Sequence, residues 1–194
     1  VMDHGERVAR KRIRVHYPVG QGRMVLRTEL DWDLDLAAVE ISDDGVTTTF
    51  EFETSRPFLY FKPCLRAGDG ERWAVGSDLL ALMTTEQIGD VYPHFEGSEH
   101  GSFSDVVDMD SAILGRKHLV RIYLPPGYHE NPLRRYSVFY MQDGKNLFFP
   151  EEAFLGREWQ VDEVLGLLDA MSAIDRVLVV GIYSGDRMVD YTRP

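Results

Sequence analysis

Two short apolar runs with a helix-period stretch between them, all inside residues 136–182, constrain this chain more than any other feature. Residues 137–142 (SVFYMQ) are rich in Val, Phe and Tyr and break at Asp143 and Gly144, a pair suited to tight turns. In residues 159–173, Val161, Val164, Leu165, Leu168 and Met171 are spaced for one helical face. Residues 176–182 (RVLVVGI) form a second apolar run of strand length. This order predicts a parallel βαβ unit with two buried strands and a right-handed crossover. Ligands of such sheets sit beyond the carboxyl ends of the strands, so residues 142–146 and 183–187 are expected at one functional rim.

The remaining sequence narrows the class of partner. A net charge of −11 over 194 residues argues against nucleic acid or an anionic membrane, both of which attract basic surfaces. Cys64 is the only cysteine, so no internal disulfide is expected. No run approaches the roughly 18 apolar residues of a membrane span. The opening VMDHGERVARKRIRV, which does not begin with Met, carries no apolar signal-type core, and a cytoplasmic location is the default expectation.

Residues 12–110 read as all β. Ile13 and Val15 alternate with charged residues, as Phe50 and Phe52 alternate with Glu51 and Glu53, each giving one wet and one buried face. Asp44-Gly45 and Asp69-Gly70 are hairpin-type turns, and the spacing predicts an antiparallel sandwich. The polar, Gly/Ser-rich stretch 94–104 is the expected linker, with His94 and His100 as loop residues. Asp31, Asp33 and Asp35 suggest calcium, but Leu36 and Ser42 occupy the positions where the loop needs Gly and Glu, so no metal site is expected. Trp32, Tyr60 and Trp73 either form a flat platform that stacks on sugar rings or belong to the core. Further on, residues 117–124 (KHLVRIYL) alternate and stop at Pro125, Pro126 and Gly127, which reads as an antiparallel edge strand.

From here the residues carry a resemblance. RIYLPPGYHENPLRRYSVFYMQDGKNLF, EWQVDEVL and VLVVGIYSGDRMVDYT resemble the start of the catalytic domain of the Putative esterase family. These are α/β-hydrolases that include enterochelin, feruloyl and acetylxylan esterases and the S-formylglutathione hydrolase group. FLYFKP and WAVG more loosely resemble the immunoglobulin-like or starch-binding-type module that often precedes such domains. The resemblance implies a fold in two parts. Residues 1–110 would be an all-β immunoglobulin-like sandwich. Residues 111–194 would be a truncated α/β-hydrolase, a parallel sheet with a crossover helix.

It also implies a chemistry. Backbone N–H donors of Asp143, Gly144 and Lys145 would polarise an ester carbonyl, each donor being worth about 3–4 kcal/mol in such sites. Gln142, Asn146, Trp159, Arg187 and Tyr191 would line the pocket, with loop bracing and core packing as their alternative roles. Gln142 and Lys145 depart from the family's common His-Asp-Gly-Gln-Asn form, which leaves backbone donation open and alters the polarity offered to substrate. The substrate would be a carboxylic ester, an acylated sugar or a siderophore, with no cofactor. No G-x-S-x-G occurs in the sequence; in GIYSG (residues 181–185), Ser184 stands one place too late. No spacing supports Ser184 with His118 or His129. The resemblance therefore places the nucleophile, acid and histidine beyond residue 194, so the chain alone is expected to be inactive. In the family's strand order, the strand before Asp143 would keep one unpaired apolar edge here, and association through it is expected. The alternative to an esterase is a carbohydrate-binding or interaction module without catalysis.

Overall fold

In the computed structural model, which describes residues 8–68, 70–84 and 88–185, the chain divides into two units. The first comprises the described residues up to Gly97 together with Gly127–Arg134. It is built from β1 (Ala9–His16), β2 (Arg23–Thr28), β3 (Asp31–Leu36), β4 (Glu40–Ile41), β5 (Thr47–Thr54), β6 (Phe58–Ala67), β7 (Gly70–Trp73), β8 (Leu79–Leu82) and β9 (Gly89–Val91). One sheet runs β4-β5-β1-β9; the other runs β3-β2-β6-β7, with β8 also on β6.

The alternation along β5 explains why the sheets face each other. Phe50 and Phe52 point inward with Ile13 and Val15 of β1, and meet Leu26, Leu59, Phe61 and Leu65 of the other sheet in one core. Burying side chains of this size stabilises by roughly 1.5–3 kcal/mol each. On the wet face, the register sets Arg10 opposite Glu53 and Arg12 opposite Glu51, and both pairs form ion pairs. The unit is a β-sandwich, but not the purely antiparallel one expected, because β9 pairs with β1 in parallel.

The segment Gly127–Arg134 is stitched into this unit by its polar side chains. Asn131, almost fully buried, donates from Nδ2 to the carbonyls of His16 and Pro93. Glu130 accepts from the Phe95 and Glu96 amides and from the Tyr17 hydroxyl. His94 is only 1% exposed, and a Cβ on Gly127 would lie 2.7 Å from its ring. The stretch that starts at His94 is therefore anchored rather than a free linker at its first two residues, since Phe95 is also buried.

The second unit, Ser98–Pro126 with the described residues from Arg135 onward, contains β10 (Ser102–Phe103), β11 (Val107–Ser111), β12 (Arg116–Leu124), β13 (Ser137–Met141), α1 (Val161–Ala170) and β14 (Val177–Ile182). Its sheet runs β10-β12-β14-β13, with β11 also on β12. The two apolar runs do pair in parallel across α1, Phe139 standing opposite Val179. The other three pairings, β10/β12, β11/β12 and β12/β14, are antiparallel. The expected α/β-hydrolase architecture is thus overturned: 45% of the described residues are strand and 9% helix, and among them there is no parallel core carrying several helices. The physical reason lies in the connections. Helical spacing exists only around residues 161–170, so one crossover forms, while β11 turns back into β12 through residues 112–115.

Two strands also depart from expectation. β12 is not an edge strand but is paired on both sides. β13 is exposed rather than buried, with Val138 44%, Phe139 55% and Tyr140 66% exposed, and among the described residues it has a neighbour on one side only. The core sits on the α1 side, where Tyr123, Leu147, Phe148 and Val179 pack with Val161 and Leu165. Arg176 clamps the far end of α1 by donating from Nε to both Asp169 carboxylate oxygens and from Nη1 to the Pro126 carbonyl. None of the described helices is long and apolar enough to cross a membrane.

Candidate functional site

The bend after β13 begins with Asp143 in the left-handed conformation (φ 55°), followed by a 3-10 turn over Gly144–Asn146. Asn146 N–H closes the turn on the Asp143 carbonyl at 2.8 Å. Gly144 is buried, and the reason it must be glycine is close approach. A Cβ there would sit 2.4 Å from Tyr183 Cδ1 and 2.7 Å from the Gly181 carbonyl carbon. Gly181 answers it from β14, since a Cβ at 181 would lie 3.3 Å from Gly144 Cα. Two glycines thus let the bend rest directly on the end of β14. The left-handed residue of the bend is Asp143, not Gly144.

Past β14, Tyr183 N–H donates to the Leu119 carbonyl at 2.9 Å and its hydroxyl donates to Glu152. Glu152 also pairs with Arg121 at 2.8 Å, whose guanidinium lies 4.7 Å from the Phe149 ring centre. Burial, then the Glu152 hydrogen bond, push the Tyr183 phenol up to about 12, so it stays a donor at neutral pH. This lattice holds Ser184 beside the bend, where its hydroxyl reaches Asp143 Oδ1 at 3.3 Å.

On the sheet face opposite α1, an open cavity of about 320 Å³ brings together parts of the expected rim. Gln142, Tyr183 and Ser184 line it with Tyr140, Val180 and Ile182, and with His118 and Arg116 of β12. The alternation of β12, β13 and β14 explains the grouping, because every second residue of each strand faces the same side. Asp143, Gly144 and Lys145 do not line the cavity. Asp143 touches it through Ser184, Gly144 lies beneath, and Lys145 is exposed. Asn146 and Trp159 brace the loop: Asn146 Oδ1 accepts from Phe154 N–H, and its carbonyl accepts from Trp159 N–H at 2.7 Å. Arg187 and Tyr191 lie outside the described residues.

Ser184 and His118 share the cavity wall, which sequence spacing alone did not reveal. They do not form a relay. Ser184 directs its hydroxyl to Asp143, and His118 Nε2 is buried without a hydrogen-bond partner among the described residues. A serine bonded to a carboxylate alone has no imidazole to take its proton.

In the first unit, Trp32 and Trp73 come together with ring centres 6.2 Å apart, but their planes stand at 68° rather than forming a flat platform. Trp73 carries the Arg27 guanidinium 5.0 Å from its ring centre. Arg27 and Arg66 both pair with Asp35 and Glu71, so Asp35 of the D-x-D-x-D run is held by arginines. Those arginines hold the Asp35 carboxyl below the usual carboxylate range, the Arg66 hydrogen bond first. Tyr60 is exposed and packs edge-on against Phe58. Among the described residues no group of His, Cys, Asp or Glu is arranged to hold a metal ion.

One titratable group in the second unit is under stress. Burial first, then the negative charges of Glu163 and Glu158, push the Asp162 carboxyl up to about 6, and its Oδ1 is buried without a partner. A raised carboxyl favours the folded state while protonated. This group's contribution to stability is therefore fully present below about pH 4 and is lost as pH rises through about 6. Asp162→Asn is expected to remove that fall and to stabilise the chain at pH 7 by about 1 kcal/mol, after allowance for solvent screening. Urea titrations of both proteins at pH 4 and pH 7 check it; equal pH slopes would contradict it.

Compared with known families, residues 111–193 match the model described as Putative esterase. The match covers less than half of the chain and includes the bend, β14 and most of the cavity wall. A comparison with curated proteins found no match.

Proposed function

We propose that the second unit is the carbonyl-binding part of a carboxylic ester hydrolase, and that this chain by itself binds an ester without cleaving it. One observation carries the reading. The residues that match the esterase model include Gln142, Tyr183 and Ser184, which line one apolar cavity, and Asp143, which meets that lining through the Ser184 hydroxyl. Asn146 N–H is engaged within the bend, and among the described residues the Gly144 and Lys145 amides meet no carbonyl acceptor. Such amides are suited to an oxygen that gains negative charge as an acyl carbon becomes tetrahedral. The apolar wall of Tyr140, Val180 and Ile182 would take the acyl or aryl part of an aromatic ester or acylated siderophore. Turnover needs a serine with a base in hydrogen-bond reach, and among the described residues Ser184 has none.

The test is an amide-shift titration of the isotope-labelled chain with a neutral aryl phosphonate ester, which mimics the tetrahedral carbon. Shifts should concentrate at Gln142, Gly144, Lys145 and Ser184, with no phenol released from the matching carboxylic ester. A second reading places sugar recognition on the first unit, supported by Trp73, 36% exposed beside Trp32 and the Arg27–Asp35–Glu71 lattice. In the same spectra, an acylated sugar that shifted the Trp32 and Trp73 indoles would favour it.

A further inference from the structure

We propose that Phe154 and Leu155, on the loop between the bend and α1, are specificity-determining residues that take the alcohol side of a neutral, apolar ester. The inference rests on the carbonyl-binding role proposed for the bend and names the class of ester such a bend would serve.

The loop is fastened to the site at three points. Asn146, the residue after Gly144 and Lys145, accepts the Phe154 N–H at Oδ1 (2.9 Å) and the Trp159 N–H at its carbonyl (2.7 Å). Glu152 accepts from the hydroxyl of Tyr183, whose ring lies where a Gly144 Cβ would fall. Residues 154–159 thus form a closed loop whose base is the bend itself.

The tip of this loop is unfavourable for the protein alone. Leu147 and Phe148, at its start, are buried in the core, but Phe154 and Leu155 are 75% and 82% exposed and forgo the gain that burial brings. Leu155 is also held at φ 59°, a left-handed conformation that its side chain opposes. Among the described residues four that are not glycine have positive φ: Asp143, Leu155, Gln160 and Ser172. Three of them fall within residues 143–160, the bend and its loop. Core packing does not account for Leu155, which lies outside it. Strain of this kind gathers at ligand clamps, where bound substrate gives the arrangement its use.

An ester carbonyl has two substituents. With its oxygen on the bend amides and its acyl part against Tyr140, Val180 and Ile182, the alcohol remains for the other side of the bend. The cavity lies on the sheet face away from α1, whereas the loop runs into α1, so cavity and loop flank the bend. Charge narrows the alcohol further. Residues 150–159 carry Glu151, Glu152 and Glu158 against Arg157, and Glu152 is already paired with Arg121. Such a surface repels a phosphorylated or carboxylated alcohol and leaves an uncharged alkyl or aryl one.

Amide-shift titrations of the isotope-labelled chain with dimethyl phenylphosphonate and with methyl 2-naphthyl phenylphosphonate test this. The two differ only in the group on one ester oxygen. Both should shift Gly144 and Lys145, and the naphthyl ester should also shift Phe154 and Leu155 and bind about tenfold tighter. In Phe154→Ser, and in Leu155→Asn, which tolerates the left-handed backbone, that ratio should fall to about two or less. Equal affinities for the two esters, or a ratio that both variants keep, would overturn the proposal and leave the reading of the bend standing. So would a sulfonated naphthyl ester that binds as tightly as the neutral one. Bend amides that move with neither ester would defeat the carbonyl-binding reading, and this inference with it.

Discussion

Gly144→Val is expected to destabilise the second unit by about 3 kcal/mol, at the upper end of what overpacking a tight site costs. The new Cβ would fall 2.4 Å from Tyr183 Cδ1, 2.7 Å from the Gly181 carbonyl carbon and 2.9 Å from its oxygen. Two of these atoms are backbone of a central strand and cannot swing aside. The bend must lift, which separates Asp143 from Ser184 and disturbs the Tyr183–Glu152–Arg121 lattice. Denaturant unfolding followed by far-UV circular dichroism measures the loss, and ligand-induced shifts at Ser184 should weaken with it. An undiminished midpoint would show that the bend does not rest on β14.

The second large effect belongs to the other unit. Phe50→Ala is expected to cost about 3–5 kcal/mol, the range for deleting a fully buried aromatic. Phe50 is 0% exposed and belongs to the core shared by both sheets of the sandwich. The cavity left behind is bounded by strands that the β1–β5 and β2–β6 ladders hold in place, so it cannot collapse. Calorimetry should show a lower transition for this unit. A cost under 1 kcal/mol would mean that the two sheets do not share the core.

What the sequence made legible was local. The Phe50/Phe52 alternation set the buried face of β5, and Asp44-Gly45 turns with Gly45 at φ 70°. The helix appears where Val161 and Leu165 repeat, and the two apolar runs flanking it are parallel neighbours. The misreadings share a cause: they depended on which strand lies beside which. An apolar run looks the same whether its faces are covered or exposed, so sequence alone does not separate the exposed β13 from the doubly paired β12. Resemblance supplied a parallel, helix-flanked architecture, whereas three of the second unit's four pairings are antiparallel. At the site, the meeting of Ser184 with Asp143 across 41 residues has no sequence periodicity to announce it. Neither does the anchoring of Asn131 to His16 across 115.

The amide-shift titration with the aryl phosphonate, run beside labelling by a serine-directed fluorophosphonate, bears most directly on the central claim. Saturable shifts at Gln142, Gly144, Lys145 and Ser184, with no labelled serine in the 194-residue chain, are the predicted result. Shifts that spare the bend, or covalent label on Ser184, would contradict it.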